Sequence, residues 1–404
     1  MSSSKHHSSF PPRALGLRTL AVHAGQSSDA ATGAIATPIV ATSAFAYDDF
    51  DAGVRRFSGE QPGFVYSRFA NPTVQTFEAK MAALEGGESA VAFASGMAVI
   101  CSTLLGLASA GDEIIYVGTV YGGTDGVLRG LLPRLGIHTI PVPNLEEVQA
   151  HLSERTRLIY VETPANPIMA IVDLEEVVRI ARDAGILSVA DNTFSTPCLT
   201  QPLGLGIDVV VHSATKYIGG HGDATGGVAV GRTELLKAIR SVGMKDLGGC
   251  MSPHEAVMFI RGLKTLPLRV EAACDNAEQI AAFLHVHPSV ERVYYPGLPS
   301  HPGHEIARRQ MRRFGGILSF ELRGGRTMAR AFLDRLSLVT QAVSVGDVDS
   351  LACHPASTTH SAVAEDIRLQ NGVTDGLIRL SAGIEDAQDL LADIEQALAD
   401  ATSL

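Results

Sequence analysis

Between residues 75 and 245 the sequence alternates short apolar, β-branched runs with amphipathic stretches, and this alternation restricts the fold more than any other feature. The runs are SAVAFA, DEIIYVG, HTIPV, RLIYVE, ILSVAD, DVVVHS and GGVAVG. Several are apolar at nearly every position, as strands covered by helices on both faces must be. NPTVQTFEAKMAALEG, LEEVQAHLSER and LEEVVRIARDAG lie between them, with apolar residues at helical spacing. Strand–helix alternation predicts an α/β fold with a mainly parallel sheet. From about residue 250 the texture changes to a long helical region followed by GILSFELRGG, which predicts a second, smaller domain. The expected division is a disordered tail and extended arm over 1–65, a large domain over 66–260 and a small one over 261–404.

Composition narrows the classes of function. The chain has 404 residues and a net charge of -11, which argues against nucleic acid as its main partner. Cys101, Cys198, Cys250, Cys274 and Cys353 show no C-x-x-C spacing and read as reduced thiols of a cytoplasmic protein. No stretch reaches the ~18 apolar residues of a membrane span, and the start, MSSSKHHSSFPPRALG, has no apolar signal core. The basic run ARRQMRRFGG reads as the exposed face of a helix. His285, His287, His301 and His304 lack a Cys or carboxylate at ligand spacing, so they read as surface histidines and no metal is expected.

The informative polar residues collect at strand ends, where open α/β sheets bind ligands. After SAVAFA the chain turns through Ser95, Gly96 and Met97 into an apolar helical run. That turn is either a plain tight turn or a set of backbone N–H groups presented to a phosphate. LIYVETPANP ends a strand with Glu162, Thr163 and Asn166, and SVADNTF ends another with Asp191. HSATKY ends a third with Lys216, flanked by Ser213 and Thr215 and with no carboxylate beside it. Lysine is rarely buried alone, so Lys216 either caps the strand in solvent or is held as a reactive amine. A lysine, an aspartate and an anion cradle at three strand ends match the needs of pyridoxal phosphate. These are an amine for the aldehyde, a carboxylate for the ring nitrogen and a phosphate site. Tyr121 in VYGGT is a candidate to stack on the ring.

Longer motifs carry a resemblance. YSRFANPT, ASGMA, VYGGT, ETPANP, DNTF, HSATKY, GGHGD, RGLKTL, HPASTTH and LIRLSAGIED follow one another along the chain. Through them it resembles, from about Arg18 onward, the cysteine and methionine metabolism family of pyridoxal-phosphate enzymes. That family includes cystathionine γ-synthase, cystathionine γ-lyase, the homoserine-ester sulfhydrylases and methionine γ-lyase. The resemblance implies an aspartate-aminotransferase-like fold (fold type I) and a homotetramer built as a dimer of catalytic dimers. It implies that Lys216 forms the Schiff base and serves as base, and that Asp191 pairs with the ring nitrogen. Gly96, Met97, Ser213 and Thr215 would hold the phosphate, with Tyr66 and Arg68 reaching the phosphate of a neighbouring subunit. Tyr121 would stack on the ring and act as acid at the leaving group. Arg379, Asn166 and Ser344 would clamp the substrate α-carboxylate, a group suited to a guanidinium.

Specificity is read from fewer residues. AVSVGD, Ala342 to Asp347, resembles the methionine-cleaving members; cystathionine enzymes carry Glu where Val343 stands and Gly where Asp347 stands. Lys245 and Asp246 fit the same branch as substrate-binding residues. Gly123 stands where methionine-cleaving members carry Cys, and is expected to leave a small space beside Tyr121 near the γ substituent. The implied activity is γ-elimination of L-methionine to methanethiol, 2-oxobutanoate and ammonia, with broad specificity for sulfur amino acids. The alternatives are cleavage of cystathionine, and γ-replacement joining an activated homoserine to a thiol. A purely binding or regulatory role is disfavoured by the intact Lys216, Asp191, Tyr121 and Arg379 set.

Overall fold

The seven apolar runs form seven strands of one sheet: β1 (Ser89–Phe93), β2 (Glu113–Val117), β3 (His138–Val142), β4 (Thr156–Glu162), β5 (Leu187–Asp191), β6 (Val209–Ser213) and β7 (Gly227–Gly231). The computed structural model describes residues 15–361 and 363–401. Strand order is β1-β7-β6-β5-β4-β2-β3. From β6 to β3 every pairing is parallel, and β7 runs antiparallel to both of its neighbours. Because the crossovers lay helices on both faces, the central strands are buried on each side; Val209, Val210 and Val211 are all fully buried.

Local chemistry sets the helices. Pro72–Glu85 starts where the Asn71 side chain accepts from Thr73 N–H, with proline in the first turn. Phe77 and Met81 on this helix pack in one core with Val228 and Val230 of β7. On the opposite face Val99, Ile100 and Leu104 of helix Gly96–Leu107 pack with Phe93, Val209 and Val211. LEEVQAHLSER forms only a 3-10 turn, Leu145–Glu147, and one helical turn, Val148–His151. Its single buried side chain there is Val148, too little apolar anchorage for a longer helix.

A second sheet is made of β8 (Val290–Tyr294), β9 (Ile317–Leu322), β10 (Thr340–Gln341), β11 (Leu351–Cys353) and β12 (Leu377–Ser381), in the order β10-β11-β12-β9-β8. The long helix Pro253–Val286 joins the two units. Phe259 to Cys274 pack in the first core and Ala277 to Leu284 in the second, so the division expected at residue 260 falls inside one continuous helix. The basic run also differs from expectation. The helix His304–Gln310 stops before Arg312 and Arg313, and Arg309 and Arg313 bridge to Asp173, Asp275 and Glu278 on other elements.

The N-terminal arm is extended apart from helices Leu17–His23 and Phe50–Ser58; the expected tail over residues 1–14 lies outside the described residues. One buried amine ties the arm down: Lys80 Nζ donates to the Ala21 and Val22 carbonyls at 2.9 and 3.2 Å. No helix among the described residues is long and apolar enough to cross a membrane.

Candidate active site

Three neighbouring parallel strands end at one place. The carboxyl ends of β4, β5 and β6 open into a cavity of about 360 Å³. Gly96, Met97 and Tyr121 line one side of it, and Asp191, Ser213, Thr215 and Lys216 lie along the strand ends. Asn166, Ser344 and Arg379 complete the wall, the last two from the second unit. Sequence-distant residues meet here because strand ends at the sheet's C-terminal edge are adjacent in space while their connections run elsewhere.

Asp191 is buried and held on one oxygen. Its Oδ1 accepts from Thr193 N–H at 3.0 Å and from the Thr193 hydroxyl at 2.5 Å. Its Oδ2 has one long contact, the Tyr160 hydroxyl at 3.4 Å, which leaves that oxygen available to a ligand. Glu162 pairs in register with Asp191 across β4 and β5, so the two side chains leave the same face. Burial, followed by the charge of Asp191, pushes the Glu162 carboxyl up to about 8. Burial also raises Asp191, but the two Thr193 hydrogen bonds oppose it. Both carboxyls are thus raised, and only Asp191 has side-chain and backbone donors from Thr193 favouring its charged form.

Lys216 sits in the turn just after β6. Its amine has one contact, Ser344 Oγ at 3.4 Å, and no carboxylate forms an ion pair with it among the described residues. Burial first, and then the Arg379 guanidinium, lower its pKa, with Asp347 pulling the other way. A lysine so placed gives up its proton more readily than one in water, which a nucleophilic or basic amine requires.

Arg379 is buried at 4% exposure in the middle of β12. It donates to Asn166 Oδ1 at 2.9 Å and to the Val343 carbonyl at 2.6 Å. No carboxylate pairs with it among the described residues, so a buried cation faces the cavity with only neutral acceptors. Such a charge is costly unless an anion joins it.

The anion cradle is equally specific. Ser95 caps helix Gly96–Leu107 by accepting from Ala98 N–H, leaving the first N–H groups of the helix at the cavity wall. Gly96 lies so close to β6 that an added Cβ would stand 2.8 Å from Ser213 Oγ. Thr215 is partly engaged elsewhere, since its hydroxyl accepts from Gly226 N–H at 3.1 Å. A cradle of free N–H groups, an open carboxylate oxygen and an uncompensated amine fit the phosphate, ring nitrogen and aldehyde of pyridoxal phosphate.

Several expected residues are not brought together here. Tyr66, Arg68, Lys245 and Asp246 do not line the cavity of their own chain. Arg68 instead stacks on Phe69 and donates to the Lys245 carbonyl at 2.9 Å, while the Lys245 and Asp246 side chains face solvent. The expected space beside Gly123 is absent. The Tyr121 ring folds over it, so an added Cβ would lie 2.6 Å from Tyr121 Cε1 and 2.7 Å from Met97 Sδ. His301 is not a surface residue either: it is buried, with Nδ1 accepting from Gly303 N–H. Thr193 and Tyr160 are site residues missed from sequence, and Glu162 was singled out there at a strand end but given no role. Thr193 and Glu162 stand inside DNTF and ETPANP, whereas Tyr160 reads as one more apolar strand position.

Comparison with known proteins agrees with this geometry. Residues 18–399 match the family described as Cys/Met metabolism PLP-dependent enzyme. The chain is 48% identical over 387 residues to an L-methionine gamma-lyase of Fusobacterium nucleatum subsp. nucleatum, covering 95% of this chain and 98% of the relative. It is 44% identical to a cystathionine gamma-lyase of Bacillus subtilis, covering 94% and 98% of the two chains. A solved structure from Campylobacter jejuni that carries N'-pyridoxyl-lysine-5'-monophosphate superposes with a TM-score of 0.92 at 33% identity, covering 95% of this chain and 100% of that one. With the lysine, the aspartate and the turn of free N–H groups at three strand ends, the chain belongs to the Cys/Met metabolism family of enzymes that depend on pyridoxal phosphate.

Proposed function

We propose that the protein is a methionine γ-lyase, converting L-methionine and water to methanethiol, 2-oxobutanoate and ammonia, and accepting other sulfur amino acids. The observation that carries this reading is Val343 on the cavity wall, its carbonyl bonded to the buried Arg379. The guanidinium suits an α-carboxylate, and the neighbouring apolar side chain suits a thioether without a second charged end. Bound pyridoxal phosphate supplies the electron sink that lets protons leave Cα and Cβ. Arg379, Asn166 and Ser344 hold the α-carboxylate, Lys216 Nζ moves protons between Cα and Cβ, and the Tyr121 hydroxyl delivers one to the departing sulfur. Residues 66–260 bind the cofactor in this reading, and residues 261–404 contribute Arg379 and Ser344.

Assembly is part of the proposal. Ile35 and Phe50 on the arm are 87% and 85% exposed, apolar surface suited to a second copy in a homotetramer built from catalytic dimers. Tyr66 and Arg68, outside their own cavity, would complete a neighbour's phosphate site, and Lys245 and Asp246 lie beside them. A cytoplasmic location is supported by all five cysteines being free.

Product analysis tests the activity. Methionine, cystathionine and O-acetylhomoserine are each supplied with and without added thiol. Methanethiol and 2-oxobutanoate from methionine are expected. Turnover only when homoserine ester and thiol are both present would assign the protein to γ-replacement instead.

A further inference from the structure

One carboxyl group at the end of β4 holds two parts of the site at once. Glu162 Oε2 accepts from the Tyr121 backbone N–H at 2.7 Å, and Oε1 accepts from the Asn166 N–H at 3.2 Å. Asn166 then accepts on its side-chain oxygen from Arg379 at 2.9 Å. Direct contacts therefore run from the turn that carries Tyr121 to the guanidinium. Behind Tyr121 the members are buried, with Glu162 6%, Asn166 3% and Arg379 4% exposed. The position is an expensive one for an acid, because Asp191 stands beside it in register. A neutral side chain of the same size would remove the repulsion but leave one of the two N–H groups without an acceptor.

We propose that Glu162 is a positioning residue that fixes the Tyr121 turn and the Asn166–Arg379 clamp at one spacing. The group that protonates the departing sulfur and the group that anchors the α-carboxylate then meet opposite ends of the same substrate. This inference rests on the clamp assigned above to Arg379.

The test uses L-norleucine, which has methionine's α groups and chain length but no γ heteroatom to eliminate. Its dissociation constant is read from the absorbance of the cofactor-loaded enzyme, so turnover plays no part. Glu162→Ala loses both acceptors and is expected to raise that constant about tenfold or more. Glu162→Gln, which presents one oxygen and one N–H, is expected to fall between Glu162→Ala and the native protein. Cofactor retention on gel filtration should persist in both, because Asp191, Lys216 and the Gly96 cradle are untouched. The decisive comparison repeats Glu162→Gln in an Arg379→Ala background, where its effect should shrink below about twofold if it acts through the clamp.

An equal effect in both backgrounds overturns the inference, as does a native dissociation constant in Glu162→Gln. Loss of cofactor in step with loss of norleucine also overturns it, since that is what a merely structural residue would do. If Glu162→Ala does not fold, Glu162→Gln alone carries the comparison. The two readings fail differently. Arg379→Ala with native affinity defeats the clamp and this inference with it, whereas weakened Arg379→Ala beside an unaffected Glu162→Gln defeats the inference alone.

Discussion

Gly123 acts on a cavity that it does not line. With no side chain it lets the Tyr121 ring and the Met97 thioether rest directly over the backbone. Tyr121 is 47% exposed and has room to swing, so a side chain at 123 should move the ring rather than break the fold. Gly123→Cys is expected to push the ring toward the substrate, narrowing the mouth and raising the kcat/KM ratio of methionine over cystathionine. Pocket changes of this kind discriminate by about 1–3 kcal/mol. Measuring that ratio in both proteins checks it, and an unchanged ratio would place specificity elsewhere, first at Val343. Arg379→Ala should instead reduce kcat/KM for every amino acid alike, by about 2–3 kcal/mol for a lost charged hydrogen-bonding partner, because all substrates share the α-carboxylate. A loss confined to one substrate would mean that Arg379 reads the side chain. Lys216 and Asp191 were legible in sequence because each is a polar residue where an apolar run demands explanation, whereas Arg379 came only through the resemblance. The Gly123 contact was not legible, since it depends on the conformation that Tyr121 adopts in three dimensions.

The strands were the most legible elements, for a physical reason. Burial on both faces leaves little choice but continuous apolar residues, and all seven runs of the first sheet appear as strands. β10 and β11 have two and three residues, too few to show any periodicity, and were not recognised. The helix Leu17–His23 was read as arm for a related reason: its hold comes from a distant element, the Lys80 amine on helix Pro72–Glu85. Burial first, with the charge of Lys264 adding to it, lowers the Lys80 pKa to about 8. In the unfolded chain the same amine keeps its proton to about 10. Between those values the unfolded chain binds more protons than the folded one, so this group adds stability as pH rises through the window. Lys80→Met has no such proton to lose, and its thermal midpoint relative to the native protein should fall between pH 8 and pH 10. Melting both proteins across that range is the check, and a constant difference would show that the amine does not titrate there.

In the whole molecule, the cavity belongs to two packed units and, in the proposed assembly, to two chains. Arg68 lies outside its own cavity, stacked on Phe69 and bonded to the Lys245 carbonyl. If it serves the partner's phosphate, Arg68→Ala should retain cofactor poorly, and Lys216→Ala should hold none that borohydride can fix. Mixed dimers of the two should regain activity, since one site can then carry both lesions while the other carries neither. Refolding mixtures over a range of ratios and assaying turnover tests this; mixtures no more active than their parents would show that each site is complete within one chain.

The supports of the substrate wall differ in kind, and that difference bears on how such an enzyme can diversify. Arg379 lies within β12, paired with Ser319 on one side and Cys353 on the other, so moving it means rebuilding a sheet. Val343 lies in the connection between β10 and β11, where an exposed loop side chain tolerates replacement. Descent with modification can therefore rewrite what departs from the γ carbon while the demand for an amino acid is inherited unchanged. A mutant library confined to Ala342 and Val343, which leaves Ser344 of the clamp in place, should yield enzymes with new leaving groups that remain selective for the same α-amino acid backbone.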